Sequence, residues 1–124
     1  MELKLLLLVA VGGALGAVLR YLLQSIVEPE NTPYATLGIN LLGSLLLGAM
    51  FGAMAAGVVL NEGTVLLLGM GVLGSFTTMS TFAMQAVDYT EHSHTSSALY
   101  VLMTVGGCIL LAWSGYRAAM VLIS

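Results

Sequence analysis

Charge is what this sequence has least of. Only 7% of its 124 residues are charged, three basic and six acidic, while 59% are hydrophobic. Soluble domains carry about 25% charged residues. With a mean hydropathy of +1.02, the composition excludes both an ordinary cytosolic enzyme and a disordered chain. Basic residues are scarcest: Lys4, Arg20 and Arg117 are the fixed cations and the net charge is −3, so no basic patch exists to neutralise phosphates and a nucleic-acid surface is excluded. Cysteine is almost missing as well. Cys108 stands alone, which excludes a disulfide framework or a thiolate zinc site within one chain. The class that remains is an all-α integral membrane protein, folded as a single domain in the lipid bilayer.

Uncharged stretches of about 18 or more apolar residues read as transmembrane helices. Three are visible directly, from Thr32 to Asn61, Gly63 to Val87 and Thr95 to Tyr116. A fourth comes first: Leu5 to Leu19 is apolar but short, and must continue through Arg20 to about Val27 to cross. Four spans follow, at about residues 5–27, 34–57, 64–87 and 95–118. Both prolines, Pro29 and Pro33, fall in the first loop; Ala56 to Gly63 is a tighter turn, and Asp88 to Thr95 is a polar loop with Glu91, His92 and His94. The first span is read as a retained helix and not a signal peptide, because Glu2 cancels Lys4 and the apolar run resumes beyond Ala14 to Ala17. An even number of spans puts both termini on one side. Lys4 and Arg117 then oppose only Arg20, almost no orientation signal, so both insertions are compatible with the sequence and antiparallel dimers with them.

The polar residues inside the spans carry the functional signal. Gly12 and Gly16, like Gly48 and Gly52, lie four apart, the spacing that lets helix backbones approach in lipid. Arg20 continues the Gly12–Gly16 row, so it either faces protein or water and attracts anions, or snorkels to the interface. Asn40, on one face with Gly43 and Ser44, needs an interhelical partner or a water-filled path, because an unpartnered amide in an apolar medium costs roughly 4–8 kcal/mol. In the third span, Gly74-Ser75-Phe76-Thr77-Thr78-Met79-Ser80-Thr81-Phe82 follows Gly69 and Gly71 and concentrates hydroxyls that one helix face cannot hide. A break in mid-bilayer is expected there. At such breaks unwound carbonyls coordinate cations while donors face anions. Beyond it, Thr78, Phe82, Gln85 and Tyr89 share a face, and the fourth span repeats the pattern with Ser97, Tyr100, Thr104 and Cys108. These rows line a pathway or form interhelical hydrogen bonds. The acidic residues all sit at ends or in loops, which argues against a cation path, whereas hydroxyls, an amide and aromatic edges suit a small anion.

Three motifs, Gly12-Gly13-Ala14-Leu15-Gly16-Ala17-Val18-Leu19-Arg20-Tyr21, Thr36-Leu37-Gly38-Ile39-Asn40-Leu41-Leu42-Gly43-Ser44 and the Gly74 to Phe82 segment, resemble those of the Fluc fluoride channels, also called CrcB proteins. The resemblance covers all four spans. It implies a multi-pass protein of the cell membrane that exports fluoride passively and protects the cell from fluoride toxicity. It further implies an antiparallel, dual-topology homodimer with two fluoride pathways and a central Na+ bound by backbone carbonyls at the helix breaks. By motif position, those carbonyls fall on Gly74 and Thr77, the pore asparagine on Asn40, the fluoride-facing aromatic pair on Met79 and Phe82, and the hydroxyl track on Ser80 and Thr81. Tyr100 and Thr104 match the fourth-span pore residues, and Arg20 the first-span arginine. The first aromatic position is usually Phe; here Met79 replaces it, and a thioether has no electropositive ring edge. Two other classes are open to a four-span chain. A small dual-topology secondary transporter would need a membrane-embedded Glu in the first helix, which is missing beyond Glu2, and a non-transporting assembly subunit would pass no ions. His92 and His94 lack a third ligand, and no nucleophile–base constellation suggests an enzyme.

Overall fold

The computed structural model describes residues 2–124. In chain order it contains α1 (Leu3–Ser25), a 3-10 turn (Pro29–Asn31), α2 (Thr32–Ala55), α3 (Glu62–Thr64), a π-helical segment (Val65–Leu73), α4 (Gly74–Phe76), α5 (Met79–Thr90) and α6 (His94–Ile123). Four helical runs are long and apolar enough to span a bilayer: Leu3–Ser25, Pro29–Ala55, Glu62–Thr90 and His94–Ile123, of 23, 27, 29 and 30 residues. At about 1.5 Å per residue each exceeds the roughly 30 Å hydrocarbon core.

The helix ends follow local chemistry. After α2, Gly57 takes φ 106°, a region that costs a side chain strain but not glycine. There the Val58 N–H donates to the Ala53 carbonyl at 3.0 Å and the Gly57 N–H to that of Met54 at 3.1 Å, a Schellman closure of the last turn. Side-chain oxygens cap three helix starts: Asn61 accepts from the Thr64 amide at 2.8 Å, Thr78 from that of Thr81 at 3.2 Å, and Ser93 from that of Ser96 at 3.2 Å. The Asn61 and Ser93 caps belong to loops. Thr78 caps α5 in the interior of the Glu62–Thr90 run, where the chain leaves helical torsions for two residues: Thr77 has ψ 156°, and Thr78 has φ −150° and ψ 119°.

Glycine decides which helices touch. A Cβ on Gly12 would strike the Leu67 carbonyl, and one on Gly16 the Val72 carbonyl, so α1 lies backbone to backbone against the π-helical segment. Gly48 meets Ala112, Gly52 meets Tyr116, and Gly115 of α6 meets Leu45 in return, which makes the α2–α6 seam the most extensive in the bundle. Lipid supplies no hydrophobic drive between helices, so close approach of small residues is the main source of their association. Large apolar side chains accordingly point outward, Leu7, Val11, Leu15 and Val18 among them, and the buried apolar cluster is small: Leu37, Phe82 and Tyr100, with Leu41, Ala86, Tyr89 and Val101 against it.

Two neighbouring glycines of α1 test this arrangement. A Cβ on Gly16 meets fixed backbone, while one on Gly13 lies 3.2 Å from the Ser75 hydroxyl, a side chain that can turn. Gly16→Ala is expected to cost about 1–3 kcal/mol and Gly13→Ala much less, read as thermal unfolding midpoints in detergent. Equal midpoints would contradict the packing described.

Candidate functional site

An open-sided cleft of about 350 Å³ lies where α2, the Thr77–Thr78 linkage and α6 converge. Its polar lining comes from Asn40, Ser44, Thr77, Thr78, Thr104 and Cys108, and among the described residues no lining side chain carries a formal charge. Gly74, Met79 and Phe82 also border it, so six of the residues singled out in the sequence, Asn40, Gly74, Thr77, Met79, Phe82 and Thr104, meet at one place.

Hydrogen bonding around the linkage follows from its two extended residues. In a continuous α-helix the Thr78 N–H would donate to the Gly74 carbonyl and the Thr81 N–H to that of Thr77. Neither does so. The Thr78 N–H donates to Asn40 Oδ1 at 2.8 Å, and Asn40 Nδ2 donates back to the Thr78 carbonyl at 3.1 Å. A peptide N–H can only donate and its carbonyl only accept, so this pair fixes which way the Asn40 amide faces. The Thr81 N–H is held by the Thr78 hydroxyl. The Gly74 and Thr77 carbonyls are thereby released from their helical donors. Between them, the Ser75 carbonyl accepts from Arg20 Nε at 3.2 Å, a cation placed at the carbonyl end of the helix formed by the π-helical segment and α4. The Leu73 carbonyl takes both the Thr77 amide, at 3.1 Å, and the Thr77 hydroxyl, at 3.0 Å.

Thr104 is different. It is 5% exposed, and its hydroxyl is the one buried side-chain oxygen or nitrogen among the described residues without a hydrogen-bond partner. Other polar side chains of the bundle are satisfied within the protein: Ser97 donates to the Ala86 carbonyl at 2.8 Å, and the Tyr100 hydroxyl to Gln85 Oε1 at 2.8 Å. Phe82 is buried with its ring 5.3 Å from that of Tyr100 at 54°, and Tyr100 lies 5.3 Å from Tyr89 at 59°. These tilted contacts fix the orientation of the Phe82 ring. Met79, by contrast, is 72% exposed.

The remaining residues lie elsewhere. Ser80 and Thr81 line a second groove with Met84, Gln85 and Asp88, and Gln85 of that groove accepts from the Tyr100 hydroxyl. Arg20 sits at Ser75 and does not line the first cleft. The partnership of Arg20 with a carbonyl 55 residues away had no sequence signal beyond its row with Gly12 and Gly16. The pairing of Gln24 Nε2 with the fully buried Thr36 hydroxyl, at 3.2 Å, had none at all.

Four apolar spans around an uncharged polar cleft define a multi-pass protein of the cell membrane. Within that class the chain belongs to the CrcB family: the family described as "CrcB-like protein, Camphor Resistance (CrcB)" matches residues 7–116. It is similar to the fluoride-specific ion channel FluC of Nautilia profundicola, 37% identical over 121 residues that cover 94% of both chains. The FluC 2 of Rhodococcus jostii is 42% identical over 113 residues, 90% of this chain and 95% of that relative. The FluC of Pseudoalteromonas translucida is 35% identical over 117 residues, 91% and 98% of the two chains.

Thr104→Val keeps the shape and removes a hydroxyl that has no partner, so stability is expected to hold or rise. Ser97→Ala removes a made bond and should cost about 0.5–1.5 kcal/mol. Thermal unfolding in detergent compares the two, and a larger loss for Thr104→Val would show that its hydroxyl is satisfied within the protein.

Proposed function

We propose that this chain is a fluoride-selective channel that lets the ion leave the cell passively, down its electrochemical gradient. The observation that carries the reading is the Thr104 hydroxyl, buried without a partner on a cleft that Phe82 also borders. A buried donor left unused costs about 1–3 kcal/mol, and an anion in the cleft would recover it. Fluoride is small and strongly hydrated. Its water shell must be replaced by O–H and N–H donors and by a positive ring edge, without a buried Lys to hold it too tightly. Thr104, Ser44 and the Asn40 proton not given to Thr78 supply such donors. The names of the relatives, fluoride-specific ion channels, agree with this chemistry. Fluoride enters cells as neutral HF and is trapped on ionising, so a pore for the ion relieves the trap.

The working unit in this reading is an antiparallel, dual-topology homodimer with its third transmembrane helix broken at Thr77 and Thr78. Support for the dimer is the open side of the cleft and the exposure of Met79 and Gly74, which leave one copy unable to enclose a path. A second pathway segment would run along Ser80 and Thr81. Support for a resident Na+ is the release of two carbonyls from helical bonding, on Gly74 and Thr77. Hard cations take oxygen ligands, and unwound carbonyls in membrane helices are suited to that role. Such an ion would supply a fixed positive charge at the break, while Arg20 holds the adjacent Ser75 carbonyl.

Purified protein in liposomes should release fluoride, measured with a fluoride electrode, and retain chloride. Equal rates for the two halides, or no fluoride release, would overturn the proposal. Within the same assay Phe82→Ala should lower flux about ten-fold or more, the scale of one lost partner to a charged group. Met79→Phe should preserve or raise it. Unchanged flux in Phe82→Ala would remove Phe82 from the pathway.

A further inference from the structure

We propose that Asn40 acts as a positioning residue for a monovalent cation at the helix break, keeping the Gly74 carbonyl available as a ligand by holding the Thr78 peptide away from it. This rests on the reading that the Gly74 and Thr77 carbonyls receive Na+. Asn40 is 7% exposed and spends both ends of its amide on the backbone of one residue, accepting from the Thr78 N–H at 2.8 Å and donating to the Thr78 carbonyl at 3.1 Å. A side chain that matches both the N–H and the C=O of one residue is a substitute for a neighbouring strand of backbone. It reaches across 38 residues of sequence to do this.

The reason such a substitute matters lies in the surrounding medium. A backbone N–H in the hydrocarbon region cannot turn to water, so it takes the acceptor within reach. For Thr78 that acceptor, without Asn40, is the Gly74 carbonyl one turn back, and the bond would rewind the helix through Thr77. The Thr77 carbonyl depends on the same anchor at one remove, because it is freed only while the Thr78 hydroxyl caps α5 through the Thr81 N–H. Arg20 secures the Ser75 carbonyl between them and makes no contact that would hold Thr78. Asn40 thus separates the two halves of the third span and fixes how many carbonyls are left over.

The test measures cation binding apart from ion flux. The full chain, purified in detergent, is unfolded by heat at increasing Na+ with N-methylglucamine making up the ionic strength, and helix loss is followed by circular dichroism. A ligand bound only by the folded state adds RT ln(1 + [Na+]/Kd) to its stability, so the rise of the midpoint with concentration yields the half-saturating Na+ concentration. Asn40→Ala should raise that concentration about ten-fold or more, and Asn40→Leu, which fills the same space without hydrogen bonding, should do likewise. Asn40→Asp still accepts from the Thr78 N–H, so its value should stay within about three-fold of the wild type or fall below it. Helical variants Asn40→Ala and Asn40→Leu with the wild-type Na+ response would overturn the proposal, as would an Asn40→Asp that loses the response as fully as Asn40→Ala. A wild-type protein that is indifferent to Na+ would remove the cation reading itself and this inference with it; the wild-type curve decides the first and the ratio of variant to wild type the second.

Discussion

A lipid bilayer offers no hydrogen bonds, and every departure of the backbone from a continuous helix must therefore be repaired by the protein. The extended residues Thr77 and Thr78 are where this constraint concentrates. Three side chains repair them: Asn40 binds both the N–H and the carbonyl of Thr78, the Thr78 hydroxyl caps the Thr81 amide, and Arg20 takes the Ser75 carbonyl. Each repair comes from a different direction, from α2, from the linkage itself and from α1. The local irregularity is stable only because three helices converge on it.

That convergence is the work of glycine. Gly12 and Gly16 bring α1 against the π-helical segment, and Arg20, one turn further along the same face, arrives at Ser75. Gly48, Gly52 and Gly115 seat α2 against α6, which sets Asn40 and Thr104 on the borders of one cleft. The π-helical geometry of Val65–Leu73 also shifts the carbonyl ladder ahead of Gly74, whose own amide is bonded to Gly69 and Gly71. Wide helical turns of this kind occur mostly where an ordinary helix is being bent to a purpose. Function and packing share the same small residues here, because a side chain at any of them would push a repairing group out of reach.

Some of the site was legible in the residues and some was not. The run of hydroxyls from Ser75 to Thr81, behind Gly69, Gly71 and Gly74, marks a segment that cannot sit quietly in lipid, and the departure from helical torsions falls inside it. Thr104 and Phe82 lie at helical spacing along rows of polar or aromatic residues, and both border the cleft. The division of labour among the polar groups was not visible. Asn40, Ser97, Tyr100 and Thr104 look alike as buried hydrogen-bonding residues, yet the first three have protein partners and Thr104 has none. A pattern of residue types reports which groups need partners. It does not report which partner arrives first.

Residue types and their order were enough to set the solvent of this protein, the number of its crossings and the segment of the third one that resists a regular helix. All three follow from composition and local spacing, since the cost of placing charge or unpaired polar groups in hydrocarbon is paid residue by residue. Helix packing settled that Asn40 faces the Thr78 backbone, that Arg20 meets Ser75, that the Gly74 and Thr77 carbonyls lose their helical donors, and that Ser80 and Thr81 belong to a separate groove. Those outcomes depend on the rotation and depth of each helix relative to its neighbours, which backbone contact at a few glycines sets and no single segment encodes.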